Sequence, residues 1–226
     1  MNYGPPSYVK SIFQCPLCDS IPKSKRDAFL TDIRYTVKRY DKNDVIVHQD
    51  AVYDFLYILI KGEISTEMAD EKGDFMKIEN IKAPNPLATG FLFATNNLSP
   101  VTAIAKTECT VVVIPKENVY YLMTEYEEFM KAFLAYISNK LAFLSEKLRL
   151  VSLRSIRAKV AYYLLKESKG KSSFELKMSK EQLARLFSVS RPALVNVMMQ
   201  MDTEGVITVE RRKITIHNRA RLQKMF

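Results

Sequence analysis

Two capped helical segments separated by only three residues constrain the fold of this chain more than any other feature. Ser179 is followed three positions later by Gln182, the spacing of a capping box, in which two side chains satisfy unpaired backbone amides at a helix start. Ser190 has the residue type of a second N-cap. Residues 188–190 leave room only for a sharp turn between the two helices. The pattern predicts a helix-turn-helix over residues 179–201.

The second helix of this motif is predicted to present side chains that suit the major groove of DNA. Arginine can pair bidentately with guanine, and asparagine or glutamine with adenine. We therefore predict base contacts from Arg191 first and from Asn196 second, with Val195 on the same outward face. Serine hydroxyls and helix N-termini are better suited to phosphate oxygens. The predicted DNA contacts of the motif are Ser179, Gln182, Ser188, Ser190, Arg191, Ala193, Asn196 and Gln200.

A basic turn follows the motif. Residues 206–216 contain two alternating strands, and the turn between them would set Arg211, Arg212 and Lys213 beside the phosphate backbone as a wing. Residues 155–226 hold 15 Lys and Arg against 6 Asp and Glu, whereas the preceding 154 residues hold 19 of each sign. Because the whole net charge of +9 is confined to one segment, we predict double-stranded DNA as a partner.

A long helix with a narrow apolar seam is predicted ahead of the motif. Residues 116–168 contain no Gly or Pro, and apolar residues recur there at alternating steps of four and three. This period is typical of a coiled-coil seam and predicts a parallel homodimer. Phe133, Tyr136 and Phe143 widen the stripe, so one side of the helix is expected to pack on its own domain. The predicted seam consists of Met130, Leu134, Ile137, Leu141, Leu144, Leu148 and Val151.

Short apolar segments bounded by turn residues occupy the first part of the chain. Those at residues 44–48, 55–60, 75–78 and 110–114 are rich in β-branched and aromatic residues, which predicts the strands of a barrel or sandwich. A helix over residues 24–33, with Ser24 as its cap and Ala28, Phe29 and Ile33 on its apolar side, is expected before them. The predicted domains are an N-terminal helix and β-roll in 1–115, a long helix and a hinge near 152–155 in 116–154, and a winged helix-turn-helix in 155–226.

Three sequence segments resemble the CRP/FNR family of bacterial transcription regulators. Residues 42–64 look like the opening β-roll signature of that family, residues 190–194 like its recognition-helix start, and residues 204–207 like its helix exit. The resemblance covers nearly the whole chain. It implies an α+β fold with an N-terminal cyclic-nucleotide-binding-like, effector-sensing β-roll, a long dimerisation helix and a C-terminal winged helix-turn-helix. It also makes RNA polymerase a candidate partner of a sequence-specific regulator.

The effector segment departs from the pattern of those family members that bind cyclic AMP. They hold the ribose with a Gly-Glu pair and the cyclic phosphate with an Arg-Ser or Arg-Thr pair, but the corresponding residues 87–93 and 98–103 contain no carboxylate and no arginine. A buried phosphodiester without a cation would be poorly compensated, so we expect an effector other than cyclic AMP. Either an apolar ligand or the protein's own side chains fill the pocket. The expected pocket residues are Leu87, Thr89, Gly90, Phe91, Phe93, Leu144 and Ser145.

The cysteines and histidines predict no cofactor. An all-cysteine iron–sulfur cluster needs four thiolates, and the chain has 3 cysteines. Cys15 and Cys18 form a C-x-x-C pair, which leaves open an alternative in which a redox-responsive regulator is switched through these thiols rather than through zinc. Cys109 is expected to be a buried structural thiol. His48 and His217 are expected to be structural, so we predict neither haem nor a metal site.

Other functional classes lack the residues that they need. Catalysis would require a metal-ligand cluster, a nucleotide-cradling glycine loop or a convergent set of acid and base groups, so we predict a protein that is not an enzyme. No apolar run approaches the roughly 20 residues of a membrane span, and no basic segment with an apolar core follows Met1. We therefore expect a cytoplasmic protein with no membrane partner.

Overall fold

The structure, a computed structural model, describes residues 9–69 and 75–226. The chain divides into two compact units, Met1–Asn139 and Lys140–Phe226. We predicted a boundary between residues 154 and 155, but the observed division lies earlier. The reason is that the last turns of the helix Glu127–Ser152 belong to the second unit, where Leu150 is fully buried in the core.

Short antiparallel strands form the β-roll of the first unit. They are β1 (Thr36–Tyr40), β2 (Val45–Val47), β3 (Phe55–Lys61), β4 (Glu63–Ala69), β5 (Phe75–Lys82), β6 (Asn85–Leu87), β7 (Thr102–Ala105) and β8 (Cys109–Pro115). Within the described residues they make two four-stranded sheets, in the orders β1-β8-β3-β6 and β2-β7-β4-β5. The predicted strands at 44–48, 55–60, 75–78 and 110–114 are confirmed as parts of β2, β3, β5 and β8.

The turn from β3 to β4 requires a glycine. Gly62 has a φ of +98°, a conformation that residues with a side chain rarely adopt. A Cβ at this position would lie 2.4 Å from the carbonyl oxygen of Glu108 and 2.8 Å from the sulfur of Cys109. The glycine therefore allows the β3–β4 turn to approach the start of β8 closely.

The N-terminal segment completes the core of the first unit. A 3-10 helix, Val9–Gln14, buries Val9 and Ile12 against the same cluster as Phe29 of helix α1 (Arg26–Asp32). The predicted cap of α1 is wrong. Ser24 lies in a preceding 3-10 turn, and the N-cap residue, Lys25, makes no capping hydrogen bond through its side chain. The predicted apolar side is right for Phe29 and Ile33, which are buried, and wrong for Ala28, which is exposed.

The helical segment after β8 is interrupted where the sequence predicted continuity. Helix α2 spans Lys116–Glu125 and helix α3 spans Glu127–Ser152, with Tyr126 in an extended conformation between them. The Tyr126 hydroxyl donates to Asp32 Oδ2 at 2.7 Å, and its ring meets that of Phe29 edge-on at 5.0 Å. These contacts with α1 fix Tyr126 in the core and explain why the helix is interrupted there. The interruption was not predicted because the segment contains no Gly or Pro.

The second unit combines the end of α3 with short helices and a small sheet. Its further elements are α4 (Ile156–Ser168), β9 (Ser173–Glu175), α5 (Lys180–Phe187), α6 (Arg191–Thr203), β10 (Ile207–Glu210), β11 (Lys213–Ile216) and α7 (Arg219–Gln223). The strands pair antiparallel in the order β10-β11-β9. Across residues 9–69 and 75–226, no helix combines the length and the apolar character needed to cross a membrane.

Candidate nucleic-acid interface

Helix α5 begins with the predicted capping box. The backbone amide of Gln182 donates to Ser179 Oγ at 3.2 Å, and the amide of Ser179 donates to Gln182 Oε1 at 2.8 Å. Both side chains, which we predicted as DNA contacts, are thus engaged at the helix start. Ser179 is partly exposed and Gln182 is exposed, so their side-chain oxygens can still accept a further hydrogen bond from solvent. Their hydrogen bonds therefore fix the entrance of α5 before any ligand is bound.

The turn between α5 and α6 has the sharp geometry that its three serine and valine residues predicted. Ser188 ends α5 in the left-handed region, at a φ of 55°. Ser190 Oγ accepts the amide of Ala193 at 3.3 Å and so caps α6. The second helix therefore starts at Arg191, as predicted, and the helix-turn-helix is confirmed.

Helix α6 buries one face and exposes another. Leu194, Met198 and Met201 lie in the core of the second unit. Arg191, Pro192, Asn196, Met199 and Gln200 are exposed, while Ala193 and Val195 are only partly exposed because they flank the buried stripe. Sequence reasoning missed Met199, the most exposed apolar side chain of α6. Its position seven residues after Pro192 and three after Asn196 could have placed it on this face.

Arg191 is an unpaired cation at the first position of α6. Its side chain makes no hydrogen bond or ion pair with any residue that the structure describes. The first-turn amides and the helix dipole also concentrate positive potential at this end of the helix. An unpaired guanidinium at this position can therefore meet a guanine edge or a phosphate without first breaking an internal contact.

Two ion pairs and one backbone hydrogen bond fix α6 within the second unit. Glu204, just past the end of α6, accepts a bidentate pair of hydrogen bonds from Arg157 of α4 and another from Arg221 of α7 at 2.8 Å. The hydrogen bonds from Arg157, with the nearby positive charges, lower the pKa of the Glu204 carboxyl. Asp202 Oδ2 accepts the backbone amide of Val209 in β10 at 3.0 Å. The recognition helix is thus tied to α4, α7 and the wing.

The end of α5 is held to α4 by a lysine. Lys159 Nζ donates to the carbonyl oxygen of Phe187 at 2.9 Å, where the last carbonyls of α5 lack partners within the helix. A cation at a helix C-terminus also interacts favourably with the helix dipole. This contact, which sequence reasoning did not find, fixes the first helix of the motif against the same scaffold as the second.

The predicted wing is present as β10 and β11, with a turn at residues 211–212. Arg211 adopts a left-handed φ of 54°, and Arg211, Arg212 and Lys213 are all exposed. The Arg212 guanidinium, however, donates to the carbonyl oxygen of Lys177 at 3.2 Å. One of the three predicted phosphate contacts is therefore partly engaged within the unit. The third strand, β9 (Ser173–Glu175), was not predicted from the sequence, because it is only three residues long.

The predicted seam residues lie on α3, and most of them are exposed. Leu134, Leu141, Leu144, Leu148 and Val151 are exposed, Met130 is at the margin of exposure, and Ile137 is partly buried. Phe133 is buried and Tyr136 is partly buried, as expected for the side that packs on its own domain, whereas Phe143 is exposed. The helix thus has one apolar side inside the protein and one facing outward.

The predicted effector residues of the first unit lie at the end of β6 and in the 3-10 turn Thr89–Phe91. Leu87 and Thr89 are buried, whereas Gly90, Phe91 and Phe93 are exposed. The Phe93 ring packs edge-on against Phe133 at 6.0 Å. Leu144 and Ser145 belong to the second unit and are exposed on α3.

Two surface clefts of the first unit lie away from the predicted effector residues. One, of about 620 Å³, has Ser11, Arg39, Lys61 and Thr110 in its lining. The other, of about 450 Å³, lies beside Asn118. Neither is lined by the residues predicted to hold an effector.

Cys15 and Cys18 are buried in the core of the first unit, as is Cys109 at the start of β8. Burial raises the pKa of the Cys15 thiol to about 12, and it raises that of Cys18 well above its usual range. A thiolate is the species that attacks a disulfide or an oxidant, and burial suppresses it at neutral pH. The thiols therefore give the redox alternative no support.

A β-roll, a long helix and a winged helix-turn-helix, in that order, define a DNA-binding transcription regulator. Two family models match: the cyclic nucleotide-binding domain over residues 37–126 and the Crp-like helix-turn-helix domain over residues 158–225. The chain belongs to the CRP/FNR family of transcription regulators. The family predicted from three short segments is thus confirmed.

Known relatives match this chain over much of its length at low identity. The cAMP-activated global transcriptional regulator CRP of Escherichia coli is 18% identical over 187 residues, which cover 80% of this chain and 89% of that protein. The HTH-type transcriptional regulator ArcR of Staphylococcus haemolyticus is 29% identical over 150 residues, 64% of this chain and 63% of that protein. The crystal structure of the Thermus thermophilus catabolite activator protein matches with a TM-score of 0.56 at 18% identity, covering 93% of this chain and 97% of that one.

Proposed function

We propose that this regulator is a homodimer that binds a twofold-symmetric DNA site and responds to an effector other than cyclic AMP. The observation that carries the proposal is the exposed apolar seam on α3, in the same chain as a helix-turn-helix with an unpaired Arg191. A second copy of the chain would cover the seam. It would also supply the second recognition helix.

The spacing of the seam favours a parallel pair of helices. Positions 134, 141 and 148 recur every seven residues and positions 130, 137, 144 and 151 do the same, which is the heptad pattern of a two-stranded coiled coil. A parallel pair relates its two DNA-binding units by a twofold axis. Two recognition helices would then enter successive major grooves about 34–36 Å apart.

Base reading is assigned to the exposed polar residues of α6. Arg191 is proposed to pair with guanine and Asn196 with adenine, with Gln200 on the same face. Arg211 and Lys213 of the wing are exposed and are proposed to contact phosphates, while Arg212 contributes less because Lys177 already accepts its hydrogen bond. Ser188 and Ser190 at the turn are proposed to contact phosphates.

The effector is proposed to be apolar or aromatic in its contacts. Residues 87–93 and 98–103 provide no arginine for a phosphate and no carboxylate for a ribose. They do provide Phe91 and Phe93, two exposed aromatic rings next to the buried Thr89. The E. coli relative is named as activated by cAMP, and the absence of the charged pair here is the reason to propose a different ligand for this chain.

Selection of duplexes from a random pool, at low salt and with the full-length protein, tests the proposal. The expected product is a motif with twofold symmetry and half-sites about one helical turn apart. Cyclic AMP should neither bind in a calorimetric titration nor change the selected motif. No enriched sequence in the absence or presence of extracts of small metabolites would contradict the DNA-binding assignment. Saturable binding of cyclic AMP would contradict the assignment of the effector.

A further inference from the structure

Met199 is a large apolar side chain exposed on the side of α6 that is proposed to face DNA. It is 63% exposed, whereas the neighbouring Met198 is buried in the core. Pro192, Asn196 and Met199 are spaced by four and three residues, so they lie in one stripe along the helix. This stripe points away from the buried side of α6 formed by Leu194 and Met198.

The direction of helical side chains brings Met199 close to Asn196. Each Cα–Cβ bond of an α-helix tilts toward the helix N-terminus, so the side chain at position 199 covers the turn that contains position 196. A thioether chain is flexible and polarisable and adapts to an irregular surface. Met199 therefore adds an apolar contact immediately beside the amide that is proposed to read adenine.

The major groove offers one apolar group, the 5-methyl group of thymine. Lysine or arginine at this position of the stripe would instead favour phosphate. Helix α6 contains no cation after Arg191, so the middle of its exposed face has no charged group for a phosphate oxygen. The chemistry of the stripe thus fits an A·T-containing step rather than the sugar-phosphate backbone.

We propose that Met199 is a specificity-determining residue that contacts the 5-methyl group of a thymine next to the base pair read by Asn196. The inference rests on the proposed DNA-binding function and deepens it. It predicts that each half-site contains at least one thymine whose methyl group contributes to affinity. That contribution should depend on the side chain at position 199.

Deoxyuridine replacement measures this contact, because it removes only the 5-methyl group of a thymine. Each thymine of the selected site is replaced in turn in both half-sites, and the dissociation constant of the full-length protein is measured. At one thymine of each half-site we expect the replacement to lower the affinity about fourfold, the value that follows from about 0.8 kcal/mol for one buried methyl-sized group. Met199→Ala should bind thymine and deoxyuridine duplexes equally at that position. Met199→Gln, which keeps the length of the side chain, should do the same.

Met76→Ala is the matched control, since Met76 has the same residue type and the same exposure of 63% but lies on β5 of the first unit. It should keep the wild-type profile at every thymine. If Met199→Ala shows the same loss of affinity as the wild-type protein at every deoxyuridine replacement, the inference is overturned while the proposed function stays intact. A selected half-site without thymine would have the same consequence. If the wild-type protein selects no sequence, both the inference and the proposed function fail.

Discussion

Leu148 offers the sharpest test of the dimer because it is 71% exposed in a single chain. Full burial of a leucine side chain contributes about 1.5–3 kcal/mol, so about 1–2 kcal/mol remains to be gained when a second copy covers this one. A homodimer contains the residue twice, and loss of both contacts would amount to about 2–4 kcal/mol, or about 30- to 700-fold in the dissociation constant. Alanine retains one of the four side-chain carbons, so Leu148→Ala should remove about three quarters of this, about 1.5–3 kcal/mol, and weaken the dimer by about 10- to 140-fold.

Sedimentation equilibrium of the full-length protein at several concentrations measures this constant directly. Lys147→Ala is the control: it changes an exposed residue of the same helical turn that lies outside the seam, and it should change the constant by less than about twofold. Circular dichroism should show equal helix content in both variants. Equal effects of the two substitutions, or a wild-type protein that stays monomeric at the highest concentration, would refute the reasoning.

Arg191→Ala should cost about 1–3 kcal/mol of DNA binding and relax specificity at one base pair in a binding assay across site variants; a uniform loss over all sequences would instead indicate a phosphate contact. Gly62→Ala should lower the free energy of unfolding by about 1–3 kcal/mol from backbone strain alone, with the clash at the Glu108 carbonyl in addition, and an unchanged denaturant midpoint would contradict this. Cys15 and Cys18 should react with a thiol reagent at pH 8 only after denaturant is added. Burial raises the pKa of Cys15 from 9.0 to about 12, so the thiol stays protonated in the folded protein at a pH where it ionises in the unfolded chain. The free energy of unfolding should therefore be unaffected by this group below pH 9 and should fall from there toward pH 12.

Local signals were sufficient where one short segment determines one element. The capping box at Ser179 and the cap at Ser190 depend on hydrogen bonds within three residues, and both appear as predicted. The wing hairpin follows from alternation over residues 206–216. Strands with strong β-branched content, such as β8, were also found from their composition.

Contacts between distant segments were not predictable in this way. The break at Tyr126 depends on Asp32 and Phe29, which lie far earlier in the chain, and no residue near position 126 is a helix breaker. Strand β9 is three residues long and exists because it pairs with β11.

The end of α3 has a direct bearing on where regulation can act. Tyr162 of α4 donates to Glu146 at 3.2 Å, Lys166 pairs with the same carboxylate at 2.5 Å, and the Arg149 guanidinium lies 4.6 Å from the centre of the Tyr162 ring. Together with the buried Leu150, these contacts join the last turns of α3 to α4. Bending at residues 152–155, where we predicted a hinge, would have to break these contacts, and a hinge there would therefore carry the free-energy cost of separating α3 from α4.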